Sequence, residues 1–418
     1  MKSIIKHGKK QNLRVLLDKL KGISTIDSAN NVKFDTLEIF ELKWIFLSII
    51  EFGCSLSIES KNAIISRTLR NIVIANDYDE NNFCNYLNNE VINHNTQKER
   101  TFVLLTTVSI DNLPFRKIRI GDGTIRIHGA QFPTEFRQVR KDFLNSKINA
   151  ADNKNYTKVS VIVKSKNPLD AYEKSYYFFE IFRSFLCLLL NPLFQIRTND
   201  RNLEPINRIR QGEYSTLHTI SGEIATNEIY WFVPAFNEAK VYSLPKGNSK
   251  KEVFRKRFKR LINCFNNCKT KHRATIGKAL FNYAGAFDES NKFVSFLKTW
   301  MVLEVLTNTD QFDLLIRRAT SMFDPKAREY QKQLLEALRL FRNEYVHKGN
   351  TGPDPLLACF AMQWFIANLT IGFHLEYAGT FNSIDESVDF MDIYMLDARE
   401  LEKKRKILAR AIYEKSKL

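Results

Sequence analysis

The spacing of apolar residues changes twice along this chain, and each change limits what the segment can fold into. Over the first 95 or so residues, leucine and isoleucine recur at three- and four-residue intervals. LRVLLDKLKGI and TLEIFELKWIFLSIIEFG both show this pattern, the mark of a helix face, with Gly53 as a stop. From Arg100 the period becomes two. RTFVLLTTVSI, FRKIRIGDGTIRIHG and TKVSVIVKS read as strands, the second a hairpin around Gly121-Asp122-Gly123. A long helix is predicted from Pro168 to the stop at Asn191-Pro192, with Asp170 near its positive end. GEYSTLHTI and NEIYWFVPAF then return to strands. Beyond the polar, breaker-rich Pro245–Lys250 segment, strand signals vanish.

The predicted fold class is therefore α+β: a mixed α/β part over residues 1–245, then an all-helical bundle over 250–418. The first part divides further into a helical stretch, 1–95, and a sheet-containing stretch, 96–245. The bundle should hold four to six antiparallel-neighbour helices, among them Lys251–Asn267, Asn291–Leu306, Leu334–His347, Leu356–His374 and a charged terminal helix. At 418 residues the chain exceeds one ordinary core, and each part is long enough to bury its own.

With 63 Lys+Arg against 46 Asp+Glu, the net charge of +17 makes a polyanion, nucleic acid above all, the expected partner. A Lys-, Asn- and Ile-rich composition also yields such charge without any binding role. Six scattered cysteines do not form the dense framework of a small secreted domain, and MKSIIKHGKKQNLRVLL lacks a signal-peptide apolar core, so a cytoplasmic location is expected. Leu356–Phe373 carries no formal charge over about a membrane span, but Gln363, Asn368 and Thr370 and its flanking turn favour a buried helix, with no membrane partner.

One predicted helix carries chemistry. In LLEALRLFRNEYVHKGN, Leu334, Leu338, Phe341 and Tyr345 share the face that must meet the core. Asn343 and His347 lie one turn apart on another face, and Arg342 sits roughly 140° round the helix from His347 at 100° per residue. Gly349 and Gly352-Pro353-Asp354-Pro355 read as the helix end and following turn, which puts His347 in the last turn, where the helix's negative end attracts a cation.

Arg342-Asn343-Glu344-Tyr345-Val346-His347 resembles the Arg-polar-x-x-x-His signature of HEPN-superfamily ribonucleases. Together with Trp300-Met-Val-Leu-Glu304 and Leu314-Leu-Ile-Arg-Arg-Ala319 on earlier helices, it resembles the Apea-like branch found in bacterial anti-phage systems. The resemblance covers about Lys250 to Leu418 and leaves the first 245 residues unexplained. It implies a metal-independent endoribonuclease without cofactors. Arg342, Asn343 and His347 would be catalytic, with Lys348 and Arg339 contacting RNA. Two copies would pair through the C-terminal part so that both Arg342/His347 clusters face one groove. It further implies abortive infection through cutting of tRNA or other host RNA, restrained by an N-terminal part that senses a phage-derived trigger or regulatory partner.

The residue types suit that reaction. Attack of a 2′-hydroxyl on the adjacent phosphate needs a proton acceptor and a proton donor, and histidine, titrating near pH 6.5 when unperturbed, serves as either. The arginine fork matches the oxygens of the doubly charged transition state. The competing expectation is a non-catalytic helical RNA-binding or protein-interaction module in a defence or toxin-antitoxin system. There His347 only caps its helix, and Arg342 pairs with Glu304 or Glu336. Three further features carry less. Cys264, Cys268 and His272 lack a nearby fourth metal ligand; the Arg255–Arg260 run suits either an RNA backbone or a solvated helix face, and Lys403–Lys406 reads as a solvated face. There is no Walker, G-x-S-x-G or H-E-x-x-H motif.

Overall fold

The computed structural model describes residues 4–5, 11–193, 205–348 and 354–417, apart from 30, 55, 228, 235 and 246. The first helices are α1 (Gln11–Ile23), α2 (Thr36–Ile49), α3 (Ile58–Ala75) and α4 (Glu80–Thr96). α3 is capped by the Ser57 hydroxyl and α4 by the Asp79 carboxylate, each accepting from free amides of the first turn. Their apolar faces close a core of their own, from Leu13 to Val91 with Phe46 stacked on Phe83.

The sheet that follows has six strands, every neighbouring pair antiparallel: Trp231–Phe232, Tyr214–Thr219, Arg100–Val108, Thr157–Ser165, Gly123–Gly129 and Lys117–Ile120, in that spatial order. Its centre is the full-length pairing of Arg100↔Ser165 through Val108↔Thr157. α5 (Thr134–Ile148) covers one face, where Val103 and Leu105 meet Phe132 and Phe136. α6 (Pro168–Leu190) covers the other, where Phe102 and Leu104 meet the main core. Burial on both faces explains why FVLL is apolar without interruption. The hairpin turns at Gly121, whose φ of 57° suits glycine, and at Gly123 a β-carbon would run into the Phe178 ring of α6. NEIYWFVPAF supplies only the two-residue strand Trp231–Phe232. Trp231 stacks on Tyr172 at 3.8 Å, and Pro234, which has no amide hydrogen, cannot extend the ladder.

Eight helices follow among the described residues, rather than the four to six expected. They are α7 (Asn248–Asn267), α8 (Thr270–Phe287), α9 (Lys292–Thr307), α10 (Phe312–Thr320), α11 (Pro325–Lys348), α12 (Pro355–Ala367), α13 (Ile384–Tyr394) and α14 (Ala398–Lys415). α10 and α13 are short, nine and eleven residues. They are held by tertiary chemistry: Asp392 accepts from Arg318 Nε and Nη2, Arg318 Nη1 also donates to Thr307 O, and Asp392 pairs with Arg317 at 3.0 Å. α12 runs into a π-helical turn, Asn368–Leu375. By length and composition Pro355–Leu375 is apolar enough to cross a membrane, yet Cys359, Met362, Phe365, Leu369 and Phe373 fill the main core.

That core does not divide at Pro245–Lys250. It is continuous from Phe102 to Met391, because Phe258 and Phe265 of α7 pack at once against Phe115, Phe182 and Phe185 beneath the sheet. α6 is the shared hub: its buried Arg183 pairs with Glu180 and with Asp288 at the end of α8. The break between cores falls near residue 97 and is bridged by polar contacts. Asp170 accepts from the Ser57 amide at 3.0 Å and lies 3.1 Å from His94 Nε2.

Candidate active site

α11 begins nine residues earlier than its periodicity indicates, with Pro325 in the first turn, where a missing amide hydrogen costs nothing. Leu335, Leu338 and Phe341 are its buried residues, while Leu334 and Tyr345 are half-buried. The C-terminal turns are held by aromatic contacts to α9. Phe293 stacks on Tyr345 at 4.4 Å with rings 6° from parallel, and Phe296 lies 5.1 Å from Phe341. The register of α11 against α9 is thereby set within two turns of His347.

The predicted residues divide into two groups. Arg342 and Asn343 are half-buried and touch: Arg342 Nη1 donates to Asn343 Oδ1 at 3.2 Å. The Arg342 guanidinium also lies over the Phe312 ring at 5.3 Å, and that of Arg339 lies over the same ring at 5.8 Å. Trp300 meets Phe312 in an edge-type contact at 6.0 Å. A planar cation on an aromatic face gains about 0.5–2 kcal/mol and loses side-chain freedom, so Phe312 is a platform that fixes where both guanidiniums point. Periodicity within α11 gives no hint of Phe312, which sits on another helix.

Of the two carboxylates expected beside Arg342, Glu304 is the one that acts on it. Glu336 pairs with Arg339 at 2.7 Å, not with Arg342. Glu304 on α9 is the carboxylate whose field reaches Arg342: burial pushes its carboxyl above the usual range, and Arg342 opposes that shift. The cluster therefore interleaves Arg339 and Arg342 with one salt-bridged and one partly desolvated carboxylate.

His347 and Lys348 form the second group. Both are exposed in the last turn of α11, and no hydrogen bond among the described residues joins His347 to Arg342 or Asn343. The exposed Leu340 shares their side of the helix, two turns before His347. Gly349 and the Gly352-Pro353 turn lie outside the described residues; α12 resumes with Asp354 as its cap. A single chain thus offers a guanidinium pair on one side of α11 and an imidazole on another.

The remaining motif segments are structural. Trp300 is 1% exposed in the core, and Arg318 of the Arg-Arg-Ala stretch is the tie to Asp392. His272 turns away from Cys264 and Cys268, its Nε2 lying 3.1 Å from His374 Nδ1, and the Cys268 thiol donates to Cys264 O. Among the described residues no group of three His, Cys, Asp or Glu is placed to hold a metal ion. The basic runs of α7 and α14 are largely solvent-facing, apart from local pairs such as Arg255–Glu252 and Arg405–Glu402.

No protein-family model, no curated protein and no solved structure matches this chain.

Proposed function

We propose that the chain is a metal-independent endoribonuclease of HEPN type, acting as a homodimer whose composite site combines Arg342 and His347 from two copies. The observation that carries this reading is the geometry of α11: an exposed imidazole at the helix end, with a guanidinium five residues earlier that is aimed by Phe312 and Asn343 instead of being consumed in a buried ion pair. Pairing of two copies across a two-fold axis repeats each group and places cations and imidazoles around one phosphodiester. Exposed Leu340, on the His347 side of α11, is the apolar contact such pairing would cover.

In the proposed reaction one His347 takes the proton of the 2′-hydroxyl, whose oxygen bonds to phosphorus. The bond from phosphorus to the 5′-oxygen breaks, and the second His347 protonates that oxygen, leaving a 2′,3′-cyclic phosphate. Arg342 stabilises the charge on the phosphoryl oxygens, Asn343 holds the guanidinium, and Arg339 and Lys348 contact flanking phosphates. The biological setting we favour is phage defence by abortive infection through cleavage of tRNA or other host RNA, with residues 1–245 receiving the trigger.

A non-catalytic RNA-binding or protein-interaction module remains the rival, favoured by the Glu336 carboxylate that already partners Arg339. Cleavage of RNA in the presence of a chelator separates the two. His347→Ala should lower the rate by about 10²-fold or more while RNA binding stays near the parent level. Equal cleavage by parent and variant, or none by the parent, would remove the nuclease assignment.

A further inference from the structure

The outer hairpin of the sheet sets two cations against each other. In the register of Lys117–Ile120 against Gly123–Gly129, Lys117 lies directly opposite Arg126. Both side chains are exposed on one face, while the next pair, Ile118 and Ile125, is buried on the other. Like charges facing each other across a strand pair weaken a sheet unless an anion lies between them. Arg116, also exposed, precedes Lys117, and its carbonyl accepts from the Ile127 amide at 2.9 Å, which holds it beside the same pair. The three cations line a groove of about 860 Å³ together with Asn112, Leu113 and Pro133. Among the described residues none of the three forms a salt bridge, and no carboxylate lines the groove.

The support beneath these cations is packed in place. Phe115, next to Arg116, is buried in the main core and stacks on Phe258 of α7 at 4.8 Å. A bulge follows Arg126, between Ile127 and Gly129, and ends the ladder of the hairpin at the groove. His128 in that bulge is not a fourth charge. Burial, then the field of Arg126, hold its imidazole below the usual range against the pull of Glu135, and its Nε2 lies 2.8 Å from Ser160 Oγ. The Thr157 hydroxyl is used on Ile110 O. The wall therefore offers fixed positive charge. With Phe115 turned into the core, it offers among the described residues no exposed aromatic ring on which a base could stack.

We propose that this groove binds the phosphodiester backbone of a nucleic-acid strand, gripped by Arg116, Lys117 and Arg126. A phosphate places negative charge between two cations that otherwise repel, and a guanidinium fork matches its oxygens. Contact limited to the backbone is independent of base sequence and of the sugar. RNA and DNA strands are therefore equal ligands here, unlike at α11, where the proposed reaction needs a 2′-hydroxyl. The groove gives the sheet-bearing part a ligand of the same chemistry as the substrate proposed for α11. It does not rest on that reading, because binding requires neither Arg342 nor His347.

The test uses the full chain carrying His347→Ala, so that no probe is consumed and a failed nuclease reading leaves the result interpretable. Fluorescence anisotropy follows a labelled oligouridylate RNA of about twelve nucleotides and, separately, the oligodeoxyuridylate of equal length, over a range of salt concentrations. Lys117→Thr with Arg126→Thr, which keeps strand-forming side chains, should weaken binding of both by about tenfold or more. The slope of log affinity on log salt should become shallower by about 1.4, two phosphate contacts at roughly 0.7 each. Lys403→Ala with Lys406→Ala, an equal charge loss on α14, should leave affinity and slope unchanged. Because Lys117 and Arg126 are exposed and repel each other, the double variant should melt no lower than its parent. Arg126→Glu alone, which sets a carboxylate opposite Lys117, gives a second reading with a loss of the same order expected. Inorganic pyrophosphate, matched to the oligonucleotide in phosphate concentration, should displace neither probe. Binding of neither probe, unchanged binding in both groove variants, equal weakening by the α14 pair, an effect confined to RNA or to DNA, or displacement by pyrophosphate overturns the proposal.

Discussion

His374 shows how strongly burial decides what a histidine does here. Leu306 O can only accept, so His374 Nε2 carries the proton of that 3.0 Å bond, and His374 Nδ1 accepts from His272 Nε2. His272 Nδ1 is then left bare and buried. Burial lowers His374 to about 3, with His272 beside it adding to the effect, and lowers His218 to about 4 against the help of the Gly222 carbonyl. Both folded-state values lie below the unfolded value near 6.5, so between these limits the unfolded chain binds more protons and stability falls as pH falls. At pH 5 each should cost on the order of 2 kcal/mol relative to pH 7. Thermal melts across pH 5–7 should show that loss, and His374→Gln should flatten part of it; a melting temperature independent of pH would contradict the assignment. His347, by contrast, is exposed in the last turn of α11. Its position at a helix end was legible from spacing and breakers alone. The burial of His272 and His374 was not, because their contact joins residues 102 apart.

At the scale of elements, α9 and α10 set where the side chains of α11 point more than they set its existence as a helix. Its own sequence makes a helix, but the direction of Arg342 comes from Phe312 on α10, and α10 is in turn tied by Arg318 to α13. Phe312→Ala should cost about 1–2 kcal/mol of stability, less than a fully buried phenylalanine, since Phe312 is half-buried. RNA cleavage should fall by about tenfold or more as Arg339 and Arg342 lose their platform; a cleavage rate equal to the parent's in a chain that still folds would show that the platform has no role. Long elements with strong periodicity, such as α6 and the paired strands Arg100–Val108 and Thr157–Ser165, could be read directly from apolar spacing. The bounds of short ones could not. α10 and α13 draw their stability from an ion pair across 74 residues, and the Trp231–Phe232 strand is cut short by a proline whose effect depends on which edge it meets.

For the whole molecule, the continuity of the core matters most. The linker at Pro245–Lys250 looks like a domain boundary by composition, but α7 buries Phe258 and Phe265 under the sheet, so the helical part lacks a closed interior without residues 100–245. A fragment beginning at residue 250 should aggregate or lack a cooperative melt, whereas one beginning at residue 97 should keep the main core; a cooperative transition in the shorter fragment would show that the helices close a core alone. The same continuity links residues 102–244 to α11 through packed side chains, while residues 11–96 join it through polar contacts such as Asp170 with Ser57 and His94. Dimerisation is the remaining whole-molecule question, and it bears directly on the chemistry, because one chain holds a guanidinium pair and an imidazole on different sides of one helix. The most direct test of the composite site is a purified heterodimer of differently tagged parent and His347→Ala chains, assayed for RNA cleavage with chelator present. If both imidazoles serve one phosphodiester, the heterodimer should lose about 10²-fold or more of the parent rate, close to the loss in the His347→Ala homodimer. A heterodimer that keeps half of the parent rate would mean that each chain cuts alone, and would contradict the account.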